Sequence, residues 1–248
     1  MSPRPKKNHQ QKDLAEAIKE AAWEQIAEMG APALSLRAIA RTLGITAPAI
    51  YNYYADRDAL VTALIVDAFK SLGKFQSESI QDLPADDHAG RLTALGSAYR
   101  GWALANPQRY QLIFGTPIPG YRAPEEITLP AAAGALLPLI QTLQAAWLSG
   151  KLRLDRSVPM TPKLSAMLHA WSEFAGGPAP EVLYVALVIW SRVHGLVSIE
   201  IGSQMPVFIT DPGEVYRREI ENILIQTIKD PWGTKPFGNT TDKERTND

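Results

Sequence analysis

The stretch SLRAIARTLGITAPAIYNYYADRDAL, residues 35–60, decides the fold. Ser35 is placed to cap a short helix over Leu36 to Leu43, whose inward residues at helical spacing are Leu36, Ile39, Ala40 and Leu43. Gly44 ends that helix, because a residue without a Cβ accepts the unusual backbone of a tight turn. Thr46 then caps a further short helix running to about Tyr54, with Pro48 in the first turn, where a missing N–H costs nothing. Asp56 caps the next, in which Leu60, Leu64, Val66 and Phe69 recur at helical intervals. Two short helices joined by Gly44-Ile45 make a helix-turn-helix, packed through Ala40, Leu43, Ile45 and Ile50. Ile50 and Tyr54 read as core. Thr46, Ala47, Ala49, Tyr51, Asn52 and Tyr53 suit the face of a helix laid in a DNA groove: short side chains near its start, donors along its outside. The hydroxyls of Thr46, Tyr51 and Tyr53, with the charge of Arg57, suit phosphate oxygens.

Residues 12–69 resemble the DNA-binding head of the tetracycline-repressor (TetR) family. The likeness continues through Tyr51-Asn52-Tyr53-Tyr54 and the Asp56-Arg57-Asp58 start of the following helix, which makes it far more specific than a helix-turn-helix alone. It implies that Tyr51, Tyr53 and Arg57 anchor phosphates and that Arg37 reaches a base edge, guanine being the usual partner of arginine. The implied DNA-contacting set is Arg37, Thr46, Ala47, Pro48, Ala49, Tyr51, Asn52, Tyr53 and Arg57. Pro48 stands where the family often has glycine, and Tyr53 where it often has histidine. Ala47 and Ala49 offer a base only contact with a thymine methyl, so Arg37, Asn52, a basic arm and DNA shape are expected to share the specificity.

Outward from this stretch, the first twelve residues carry Arg4, Lys6, Lys7 and Lys12 and no acid, and read as a loose basic arm. A helix over about Asp13 to Met29 has Leu14, Ile18, Ala22 and Ile26 as its apolar stripe and leaves Trp23 off it. Beyond Ser71 the pattern predicts helices over about 86–105, 108–114, 125–148, 162–174, 181–202 and 213–228, with no period-2 strand. The chain is expected to be all-α: a basic arm at 1–12, a helix-turn-helix head at 13–70, a larger helical body for ligand and dimerisation at 71–229, and a disordered tail at 230–248 rich in Gly, Thr, Asn and charge.

Composition narrows the function classes. Of 248 residues, 46% are hydrophobic and 21% charged, as in a globular protein. Lys+Arg number 25 against 26 Asp+Glu, a formal charge of −1, so any nucleic-acid contact must use a local patch rather than a polycationic surface. With no cysteine, disulfide scaffolds, Cys-based zinc sites, iron–sulfur clusters and thiol nucleophiles are excluded. Gly96-Ser97 lacks the second glycine of a hydrolase elbow, and Gly150-Lys151 lacks the upstream glycine of a phosphate loop. His9, His88, His169 and His194 lack metal-ligand spacing. The expectation is a protein that is not an enzyme and needs no cofactor. The longest apolar run, Leu183 to Trp190, is far short of the ~20 residues of a bilayer span, and no signal peptide is visible, so a cytoplasmic protein without membrane partners is expected.

In the body, Leu183, Leu187, Trp190, His194, Val197 and Ile201 trace one apolar stripe, and the last helix offers Val215, Ile220, Ile223, Leu224 and Ile228. The family resemblance implies homodimerisation through these two helices, with Leu183, Leu187, Ile201, Ile220, Ile223 and Leu224 at the interface, and a palindromic or near-palindromic double-stranded operator. Trp190, His194 and Gly195 resemble a motif of one TetR subgroup named for its Trp-His-Gly; core packing, interface and ligand contact all remain open for them. The resemblance also implies a small-molecule effector, for which Tyr99, Trp102, Tyr110, Phe114, Trp147, His169, Trp171, Trp190 and His194 are the aromatic and polar candidates, His194 and His169 with Arg100 supplying polarity. A lipophilic effector releasing a repressor from DNA is the expected mechanism. The rival reading is a helical protein–protein interaction module that binds no effector.

Overall fold

The computed structural model describes residues 7–155 and 159–232. Its helices are α1 (Lys7–Met29), α2 (Leu36–Thr42), α3 (Ala47–Tyr51), α4 (Arg57–Ser79), α5 (His88–Ala105), α6 (Pro107–Phe114), α7 (Glu125–Leu148), α8 (Pro162–Phe174), α9 (Pro180–Ile201) and α10 (Pro212–Thr227), with a 3₁₀ turn at Ala31–Ala33. Among the described residues no strand forms; Leu152 and Ile228 meet in one isolated bridge, and the fold is all-α.

Capping side chains explain several helix starts. Ser35, Asp56, Asp87 and Thr161 each accept a hydrogen bond from the amide three residues on, at 3.4, 2.7, 2.8 and 3.2 Å. Thr46 takes the extended N-cap backbone but makes no side-chain cap bond, contrary to expectation, so Pro48 in the first turn starts α3 without it. α1 begins at Lys7, not Asp13, because residues 7–12 hold neither Pro nor Gly to stop it; half the expected basic arm is helical backbone, while Arg4 and Lys6 fall outside the described residues, as does the tail from 233 onward.

The expected boundary at residue 70 lies inside α4, which runs unbroken from head to body. Its first half closes the head core with Ile18, Ala22, Ile39 and Ile50; its second half enters the body core with Leu72. There α4 lies against α7. A Cβ on Gly73 would come within 3.2 Å of Gly134 O and Ala135 Cα, closer than ordinary contact, so a larger residue would require the helices to give by a few tenths of an ångström. Pro138 lacks the N–H that Gly134 O would accept, yet α7 continues through both Pro130 and Pro138 to Leu148.

The body is a bundle of α5 and α7–α10 around Tyr99, Trp102, Leu143, Leu183, Val197 and Leu224. Ion pairs tie its outer helices: Arg100 grips both carboxylate oxygens of Glu200, Nε at 2.8 Å and Nη2 at 2.5 Å, and Arg192 Nε lies 2.5 Å from Glu219. Taken as whole helices, α7 and α9 are long and apolar enough to cross a membrane by length and composition, a property the longest uninterrupted run had concealed. Both supply buried residues to the bundle core, Leu143 and Ala146 from α7 and Val182, Ala186 and Val193 from α9.

Candidate nucleic-acid interface and interior cavity

Gly44 takes φ +63°, and its amide bonds Arg41 O while that of Ile45 bonds Ala40 O, so the chain reverses in two residues. α3 follows at once and is pinned by Ile50, which is wholly buried. On the same turn Tyr51 is 47% exposed. Arg37 on α2 and Thr46, Pro48 and Asn52 are exposed too, and Ala47, Ala49 and Tyr53 are half-buried. With no cap bond, the Thr46 hydroxyl is uncommitted. Tyr53 and Tyr54 both lean on the head core.

Arg57 differs from the rest of the expected set. Its Nη2 donates to Ala31 O and Pro32 O, each at 3.2 Å, and its Nη1 lies 3.5 Å from Asp58. The guanidinium thus staples the start of α4 to the turn after α1. In this structure its guanidinium is engaged with the head's own backbone. Trp23, off the apolar stripe, lies under Arg109 of α6 at 4.7 Å, a cation–π contact between head and body. The loop after α6 makes two further links: Ile118 is buried in the head core, and Tyr121 Oη lies 2.9 Å from Thr62 Oγ1.

A cavity of about 450 Å³ lies inside the body. Its walls come from α4 (Phe69, Leu72, Gln76), α5 (Leu92, Leu95, Tyr99), α7 (Leu136, Leu139), α9 (Ile189, Trp190, Val193) and α10 (Ile220, Ile223, Leu224). Leu129 and Phe174 also line it yet are 47% and 57% exposed, so the cavity opens between α7 and the end of α8. Of the expected effector residues, Tyr99, Phe114, Trp171 and Trp190 line it. The others do not. Trp102 is core and donates to Ser71 Oγ at 3.0 Å. Trp147 borders a separate surface pocket with Leu152, and His169 is exposed, its Nδ1 2.7 Å from Ser165 O. Spacing along one helix shows which side chains share a face, but not which helices leave space between them; Phe69 and Gln76 on α4 were missed for that reason.

Tyr110 and His194 form a polar cluster beside the cavity. The hydroxyls of Tyr99 and Tyr110 lie 2.8 and 3.0 Å from His194 Nδ1, and Tyr110 Oη lies 2.7 Å from Ser198 Oγ. The imidazole stacks on Trp190, centroids 5.0 Å apart. Burial depresses its pKa, and likewise raises that of Tyr99. His194 is thus hydrogen-bonded and stacked within the body, and a Cβ on Gly195 would meet open space.

The expected dimer residues need correcting. The buried face of α9 is Val182, Leu183, Ala186, Ile189, Val193 and Val197, which keeps Leu183 and Val197 of the expected stripe but replaces Leu187, Trp190 and His194 by the residue before each. Leu183, Ile220, Ile223 and Leu224 are buried within the protomer, the last three lining the cavity, and cannot meet a second copy. Leu187, 41% exposed, and half-buried Ile201 remain at the surface.

The chain was compared with known proteins. The family described as "Bacterial regulatory proteins, tetR family" matches residues 18–64, and "Tetracyclin repressor-like, C-terminal domain" matches residues 92–223. HTH-type transcriptional regulator Rv1816 of Mycobacterium tuberculosis is 34% identical over 212 residues, covering 85% of this chain and 91% of the relative. The crystal structure of regulatory protein SCO4313 superposes with a TM-score of 0.73 at 36% identity, covering 90% of this chain and 99% of that one. A tetR-family regulatory protein from Rhodococcus RHA1 shares the fold at 18% identity and a TM-score of 0.58, over 87% of this chain and 98% of its own.

Proposed function

Because this chain belongs to the TetR family of DNA-binding transcriptional regulators, which are not enzymes, we propose that it is a repressor released from a palindromic operator when a small lipophilic effector fills the body cavity. One observation carries the reading: α4 is at once the brace of the DNA-binding head and a wall of the cavity. Its 23 residues span about 35 Å. At one end Arg57 fixes it to the head; at the other Phe69, Leu72 and Gln76 line the cavity. An effector that prefers one setting of α4 must shift head geometry by its differential affinity for the two settings, and by reciprocity DNA must weaken the effector equally.

The DNA surface is Arg37 with the exposed side of α3: Thr46, Ala47, Pro48, Ala49, Tyr51, Asn52 and Tyr53. Dimerisation is assigned to the open face of α9, where Tyr184, Leu187 and Ser191 are exposed beside Gly195. Two heads about 34–36 Å apart then read successive major grooves. A regulator of this kind works in the cytoplasm, where the DNA is.

The test is selection of bound duplexes from a random pool by the full chain, followed by titration across salt and a reporter placed behind the selected sequence. A palindromic consensus, a steep fall of affinity with salt and a silenced reporter support the reading. A flat salt response favours the interaction-module alternative, and an activated reporter replaces repression by activation.

A further inference from the structure

The side chains lining the cavity include no lysine, arginine, histidine, aspartate or glutamate. Its polar groups are the Gln76 amide on α4, the Tyr99 hydroxyl on α5 and the indole N–H groups of Trp171 and Trp190. Tyr99 spends its hydroxyl on His194 Nδ1, 2.8 Å away. Gln76 is only 6% exposed, and its Nε2 donates to Ala135 O at 2.8 Å. That bond fixes which end of the amide is nitrogen and holds the side chain between α4 and α7. Among the described residues no hydrogen bond to Gln76 Oε1 is found, and the side chain lines the cavity, so a molecule bound there can supply the donor that an amide oxygen takes.

We propose that the cavity selects an uncharged, largely hydrocarbon molecule carrying a hydrogen-bond donor, a hydroxyl above all, that docks on Gln76 Oε1. This rests on the cavity being the effector site. The chemistry excludes the common alternatives. A carboxylate brings acceptors to an acceptor, and no cation on the wall offsets its loss of water. An ammonium finds no carboxylate. An ether or ester tail fills the apolar volume but leaves Oε1 unpaired, and a site built to bond a hydroxyl discriminates strongly against the analogue without one. The donor also reaches the protein on α4, so the polar group of the ligand acts on the helix that carries the head.

The experiment loads the full-length protein with the neutral fluorophore N-phenyl-1-naphthylamine and displaces it with 1-decanol, decyl methyl ether or decanoate at pH 8. Decanol should displace at about tenfold lower concentration than the ether, which is the more hydrophobic of the two, and decanoate should be weakest. In Gln76→Leu the alcohol and ether should become equivalent while the fluorophore still binds. If that variant does not fold, the wild-type comparison decides alone. Equal displacement by alcohol and ether in the wild type, a preference that survives in Gln76→Leu, or decanoate binding best overturns the donor assignment and leaves the effector site standing. No uptake of the fluorophore, with no binding of the three ligands by calorimetry, overturns both.

Discussion

Ile50 and Tyr51 are adjacent on a five-residue helix and face opposite ways, which makes them a paired test of the head. Ile50 is wholly buried; Tyr51 is 47% exposed. Ile50→Ala removes three carbons, roughly 2 kcal/mol of transfer free energy at about 0.8 kcal/mol per methylene. The void left behind brings the expected loss to about 2–5 kcal/mol. For a chain of this size that lowers the melting temperature by at least about 5 °C if the chain unfolds as one unit. Tyr51→Ala creates no void in the core, so stability should stay within about 0.5 kcal/mol. It should instead remove one phosphate hydrogen bond per head, about 0.5–1.5 kcal/mol each. Over two heads the loss is about 1–3 kcal/mol, or 5- to 150-fold in operator affinity. Because the phenol is neutral, the salt dependence should keep its slope. Calorimetric melting and fluorescence anisotropy on a selected duplex measure the two effects. A Tyr51→Ala protein that melts early yet binds DNA normally, or an Ile50→Ala protein of unchanged stability, would refute the assignment of inner and outer faces.

Arg57→Ala should cost about 1 kcal/mol of head stability, the charged bonds to Ala31 O and Pro32 O being discounted for partial exposure; a normal melting curve with a shallower salt slope would return Arg57 to the phosphates. Arg37→Ala should shallow the salt slope and flatten base preference at one position per half-site, measured by competition among singly altered duplexes; uniform weakening would leave it a backbone contact only. His194 and His88 both have pKa values lowered by burial, so the unfolded chain takes up protons first as pH falls. Their contribution to stability is therefore complete above about pH 6.5 and is lost as pH falls below it. Melting temperatures between pH 8 and 5.5 should decline, with a smaller decline in His194→Gln; parallel curves would remove His194 from that window.

Much of the fold was legible because its signals are local. Ser35, Asp56 and Thr161 cap amides three residues away, and Gly44 supplies one backbone angle. Such interactions are written within a few positions, so the sequence places them to a residue or two. The exposed face of α3 was legible for the same reason: on so short a helix, burying Ile50 turns Tyr51 and Asn52 outward. The backbone partners of Arg57 were not legible, because they lie 25 and 26 residues back, on a turn whose approach no local pattern records.

The amino-acid order alone set the helix-turn-helix, the order of the helices and the apolar character of the body, but not where α1 begins or how far α4 continues. Tertiary packing decided which side of α9 is inside, because a helix apolar on most of its circumference has no preferred phase until neighbours choose one. It also decided where the cavity lies and that Gln76 stands in its wall. Those outcomes depend on contacts such as Gln76 with Ala135, 59 residues apart, and Tyr216 with Gly96, 120 apart. Over such separations the chain is too flexible for spacing to fix a distance; only the closed core does so.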